Sequence, residues 1–126
     1  MAWTYNDSVR AAALEGITAL FNSGNVLLST AADAELAIPT FAADAFGNAT
    51  TAAPSVATAA GLTADTTVTA GTIGKIAFRN SSNTSLISGT VGVGSGDFQV
   101  TDNVIPAGAT SVNLTSLTFS LTLGGS

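Results

Sequence analysis

The chain contains no cysteine and no histidine. Without cysteine, no disulfide can staple the fold, and the redox compartment is left unconstrained. The same absences remove thiol nucleophiles and histidine-assisted triads, so acid–base chemistry at neutral pH would fall to a carboxylate or lysine with a shifted pKa. Charge is scarce as well. Only 9% of the residues are charged, against roughly 25% in an average soluble domain. The three cations, Arg10, Lys75 and Arg79, sit in a chain of formal charge −5. So few cations cannot supply the phosphate contacts on which nucleic-acid affinity rests, nor hold an anionic membrane surface, and neither partner is expected. Long apolar runs are missing too. The longest helix-like stretch, Val9 to Phe21, is broken by Arg10, Glu15, Gly16 and Thr18 and is shorter than the ~20 residues a membrane span needs. The first residues show no basic region followed by an apolar core, so the expectation is synthesis in a cytoplasm without signal-dependent export.

What is present is apolar and hydroxyl. Apolar residues make up 46% of the 126, which with low charge argues against disorder. The length suits one domain with a core of its own, 1–126. Within it the sequence divides into an N-terminal helical segment (1–24), a strand followed by an Ala/Thr/Gly-rich loop or arm (25–65), and a β core (66–126). The helix is expected over residues 6–22, with Val9, Ala13, Ile17 and Phe21 at steps of four and Leu14 and Leu20 widening the stripe. Asn6, Asp7 or Ser8 can cap its start, and Gly24 can adopt a left-handed conformation at its end.

Beyond it, Val26 to Thr30 reads as a strand, and Pro39 pushes the segment Glu35 to Phe41 toward a sheet edge. Ala42 to Ala64 is low in complexity and reads as an extended surface arm, with a short helix near Val56 to Ala60 as the competing reading. Lys75 to Arg79 alternates, with Ile76 and Phe78 pointing one way and both cations the other. Asn80 to Asn83 forms a turn, and the following strand sends Ile87, Gly89, Val91 and Val93 inward. Gly92 to Gly96 is a tight bend. Val112 and Leu114 fall on even positions but Leu117 to Leu123 on odd ones, so a bulge or a change of sheet is expected at Thr115-Ser116. The fold class is mainly β: a small antiparallel β-sandwich or barrel preceded by one N-terminal amphipathic helix.

Chemistry-bearing candidates are few. Asp65-Thr66-Thr67 lacks the glycine of an aspartic-protease loop. Asp33 with Glu35, or Asp97 with Asp102 and Asn103, lacks the spacing and ligand number of a calcium site. Gly92 to Gly96 precedes a strand rather than a helix, so it is no phosphate loop. No catalytic, cofactor or metal residue is assigned, and an enzyme is not expected. The polar face of the strands carries hydroxyls in place of charge, a surface suited to lying against protein. The residues assigned to a partner interface are Trp3 and Tyr5 near the terminus, Phe41 and Phe46 at the arm, and the strand cations Lys75 and Arg79.

Residues 74–123 carry a resemblance. Phe78-Arg79-Asn80, Gly89-Thr90-Val91-Gly92 and Ser95-Gly96-Asp97-Phe98, then Pro106-Ala107-Gly108 and Ser116-Leu117-Thr118-Phe119, resemble the central hairpin, bend and closing strand of small structural proteins of tailed bacteriophages. The layout of helix, Ala/Gly/Thr-rich middle and β end is similar too. That resemblance implies a head decoration or cement protein on the capsid surface of the virion. Its partners would be the major capsid protein and further copies of itself, a trimer being one option. A tail component (tube, terminator or fibre-associated) is the first alternative, and a receptor- or glycan-binding β module the second.

Overall fold

A computed structural model describes residues 6–52 and 54–121 of the chain; Trp3 and Tyr5 lie outside the described residues. The chain is mainly β with one N-terminal helix. Helix α1 (Asp7–Thr18) starts where Asn6 Oδ1 accepts a hydrogen bond from the Ser8 amide at 2.7 Å, and a 3-10 turn (Ala19–Phe21) extends it. It ends differently from expectation. Ser23 takes the positive φ of 57°. Gly24 is needed for close approach instead: a Cβ there would stand 2.1 Å from the Arg79 carbonyl oxygen.

The helix is also rotated about its axis relative to the expected stripe. Its buried residues are Arg10, Ala11, Leu14 and Thr18, continued by Phe21, while Val9, Ile17 and Leu20 are exposed. One residue is about 100° of helix rotation, so the two stripes are neighbours sharing Leu14 and Phe21. Arg10 can face inward because its guanidinium bonds the Asp7 carboxylate and, through Nε, the Ala52 carbonyl at 3.3 Å. A buried cation is tolerated when paired in this way.

Five strands form the main sheet in the order β2-β1-β5-β6-β7: β1 (Asn25–Ser29), β2 (Glu35–Ala37), β5 (Lys75–Arg79), β6 (Ser85–Gly92) and β7 (Phe98–Gln99). The hairpin of β5 and β6 is as expected, with Ile76 paired to Gly89 and Phe78 to Ile87. Its turn is held by Asn80 Oδ1, which accepts from the Ser82 and Thr84 amides at 3.0 Å each. Strand β2 is the sheet edge, and Pro39 follows it.

Strand β7 runs parallel to β6, with Val91 opposite Phe98. Parallel neighbours normally need a long crossover. Here residues 93–97 make the return, helped by Gly94 and Gly96 at φ 74° and 92°, values that glycine adopts without steric cost. Val93 lies on this loop and is exposed, not inward as its alternation predicts.

The second layer corrects the expected arm. Strand β3 (Ser55–Thr58) pairs antiparallel with β9 (Thr118–Leu121). On its other side β3 bonds back to residues 45–50, through Gly47 N to Thr58 O, Thr50 N to Val56 O and Ala60 N to Ala45 O. Helix α1 packs on β3. Residues 42–64 are therefore core-forming, with Ala45, Phe46, Ala49, Ser55 and Ala57 buried, and 55–58 is strand rather than helix. The sequence hides this because Ser55 and Ala57 face in while Val56 and Thr58 face out. A helix lying close to a strand leaves room only for small side chains, which inverts the usual alternation.

Two short strands, β4 (Gly71–Thr72) and β8 (Val104–Ile105), pair apart from either layer. The phase change at Thr115-Ser116 is a change of partner. Val112 exchanges both backbone bonds with Asp65, whereas Leu117 and β9 bond to Ala59 and β3.

The layers meet on phenylalanine. Phe21 lies 5.8 Å from both Phe41 and Phe119, and Phe78 lies 5.2 Å from Phe119. These separations fall in the favourable range for ring pairs. The sheets face one another in sandwich fashion and do not close into a barrel.

Candidate interaction face

Alternation in β1, β5 and β6 sorts the main sheet into two faces. Val26, Leu28, Ile76, Phe78 and Val91 are buried on its inner face. The outer face carries Leu27, Lys75, Ala77, Arg79, Ser88 and Thr90, with Ser29 buried at its margin, aligned as Leu27–Ala77–Ser88 and Ser29–Lys75–Thr90 across the three strands. The face is almost entirely apolar, small or hydroxyl. Its two cations stand four residues apart on β5, about 13 Å at the strand rise.

Each cation is held. Lys75 Nζ donates to Asp33 Oδ1 at 2.8 Å. Asp33 sits at a positive φ of 70° in the β1–β2 turn, where Thr30 Oγ1 accepts from the Ala34 amide. Arg79 Nε donates to Asn25 Oδ1 at 2.5 Å, and Asn25 Nδ2 donates to Asn83 Oδ1 at 2.6 Å. The hairpin turn thus helps position the guanidinium. Between Lys75 and β6 lies a shallow cup of about 390 Å³ lined by Leu27, Ser29, Asp33, Lys75, Ser88 and Asp97 among others, with no aromatic ring among the described residues.

Asp97 reaches this cup because Gly89 is bare. A Cβ on Gly89 would stand 2.9 Å from the Asp97 Cβ. The Asp97 carboxylate accepts from the Thr90 amide at 2.9 Å and from its hydroxyl at 3.1 Å. This cap covers a backbone donor on the side of β6 away from β5, next to the short pairing with β7, and a capped donor blunts an exposed strand edge.

Of the residues assigned to an interface, Lys75 and Arg79 share this face. Phe41 and Phe46 do not. Both are buried, with rings 5.6 Å apart in the core cluster: Phe46 lies on the segment bonded to β3, and Phe41 follows β2 with its amide bonded to the Gly24 carbonyl. Leu27, Asp33, Ala77, Ser88, Thr90 and Asp97 complete the face, and the alternation opposite to Ile76 and Phe78 marks the β5 and β6 members.

Three further carboxylates serve the backbone. Asp65 Oδ2 accepts from the Ile38 amide and Oδ1 from that of Thr67, at 2.7 and 2.8 Å. Glu15 Oε2 accepts from the Ala49 amide at 3.0 Å, tying the helix to the second layer. Asp102 Oδ1 accepts from the Val104 amide. Among the described residues no three acidic groups gather as metal ligands, and no helix is long and apolar enough to cross a membrane. A larger groove of about 560 Å³ runs under the sheet between Leu28, Ile76 and Val91 and the segment 99–116. Compared with known proteins, the chain matches no family model, no curated protein and no solved structure.

Proposed function

We propose that this chain is a non-enzymatic structural subunit of a tailed-phage particle: a head decoration or cement protein that lays the outer face of its main sheet on the capsid shell. The observation that carries the reading is that face itself. It is a sheet surface of hydroxyls and small side chains around two cations that are already oriented, Lys75 by Asp33 and Arg79 by Asn25. Fixing a long side chain before contact lowers the entropy cost of ordering it at an interface. Few charges means little desolvation cost when the face is covered. The similarity of residues 74–123 to small phage structural proteins supplies the partner, the major capsid protein. Repetition over a symmetric shell multiplies a modest contact, since a copy also held by its neighbours gains avidity. Bridging adjacent shell subunits would then stabilise the capsid.

For the glycan-binding alternative, the cup offers no stacking platform among the described residues. The test is quantitative mass spectrometry of purified virions. The proposal expects many copies, in an integral ratio to the major shell protein, and immunogold label over the head. A few copies per particle, or label confined to the tail, would overturn the head assignment.

A further inference from the structure

Strand β9 keeps one edge open. Its residues pair with β3 on one side only, and among the described residues nothing bonds to the other side. Leu117 O accepts from the Ala59 amide, which fixes the parity: the backbone groups of Leu117 and Phe119 point to β3, and those of Thr118 and Ser120 point away. This edge has none of the protection found at β6. Among the described residues it has no bulge and no capping carboxylate, the sequence from Leu117 to Leu123 has no proline and no charge, and an unprotected edge is a template for another strand. A second observation coincides. Of the six phenylalanines, Phe21, Phe41, Phe46 and Phe78 are buried, while Phe98 and, at this edge, Phe119 are only partly covered.

We infer that β9 is the seam between two copies of this chain, joined antiparallel about a two-fold axis at Phe119. With the axis at Phe119, the parity sets the bonding pattern. Thr118 and Ser120 of one copy lie opposite Ser120 and Thr118 of the other, and each of these two hydrogen-bonded pairs exchanges two N–H···O bonds. Phe119 faces its counterpart as a non-hydrogen-bonded pair, the arrangement that brings side chains closest. A second copy is the occupant the observations favour. An isologous pair consumes both open edges at once and closes, whereas an added foreign strand carries a free edge of its own. The uncharged strand also lets two molecules of charge −5 meet without like charges in the seam. The inference holds with or without a capsid, so its failure leaves the particle assignment standing.

The test is sedimentation velocity on the full chain over a micromolar concentration series. The native chain should approach twice its 12.3 kDa mass. Ser120→Pro deletes an outward N–H that no described group uses, and should return the mass to that of one chain with an unchanged circular dichroism spectrum. Ser120→Lys, which keeps the N–H and only adds charge at an exposed position, should weaken dimerisation at least tenfold and carries the test if the proline variant misfolds. A native chain that stays monomeric throughout, or a dimer that the lysine variant leaves intact, would overturn the seam.

Discussion

Replacing Phe21 with alanine tests whether one aromatic cluster holds both layers to the helix. Phe21 is fully buried, with ring centroids 5.8–6.4 Å from those of Phe41, Phe46, Phe78 and Phe119. Those four rings come from the segment after β2, the second layer, β5 and β9, so the cavity would open where all the layers meet. A buried Phe→Ala substitution costs about 3–5 kcal/mol, and with four ring partners lost the upper half of that range applies, about 4–5 kcal/mol. A domain of this length holds roughly 6–19 kcal/mol in total, at about 0.05–0.15 per residue. In urea, with a slope of about 2 kcal/mol per M, the midpoint should fall by roughly 2 M. The paired control is Leu20→Ala, one residue away but 56% exposed, expected to cost no more than about 0.5 kcal/mol. Equal midpoint shifts for the two variants, or a larger one for Leu20, would refute the helix orientation described above.

Gly24→Ala should destabilise by at least about 1–3 kcal/mol in the same assay, because the new methyl meets the backbone oxygen of Arg79, which no side-chain rotation can move aside. Asp65→Ala leaves the amides of Ile38 and Thr67 without their acceptor, at a cost of about 1–3 kcal/mol; Asp65→Asn, which keeps one carbonyl oxygen, should lose less. Lys75→Ala breaks an ion pair whose side chains are 43% and 73% exposed. Its stability cost should stay below about 1 kcal/mol, while co-sedimentation with purified capsids should fall.

The parts of the fold legible in the sequence are those where side-chain size follows burial. Ile76 and Phe78 alternate against Lys75 and Arg79, and the observed β5 has that orientation. Asn80 to Asn83 and Pro39 announce a turn and an edge through backbone chemistry that does not depend on the rest of the molecule. Two features reverse the rule. Arg10 and Thr18 are buried because one is paired and the other bonds the Glu15 carbonyl, so counting apolar residues selects the neighbouring stripe of Val9 and Ile17. Along β3 the inward positions are Ser55 and Ala57, whose small size is set by the helix above them and carries no hydrophobic period. The same reversal misplaces the interface: Phe41 and Phe46 look like anchors on a loop only while the strand beneath them goes unrecognised. The cations on β5 were visible. Their holders, Asp33 and Asn25, come from other strands and turns, and only the sheet register brings them within reach.

The central claim is that the outer face of the main sheet is the surface that meets the shell. Ala77 stands in the middle of that face, between Leu27 and Ser88, and its side chain points away from the core. Ala77→Arg therefore adds bulk and charge to the contact without entering the interior. The decisive measurement is co-sedimentation of native and Ala77→Arg chains with purified capsids. Retention of the native chain, with loss of a variant that keeps its urea midpoint, is the predicted result. Equal retention of both would contradict it.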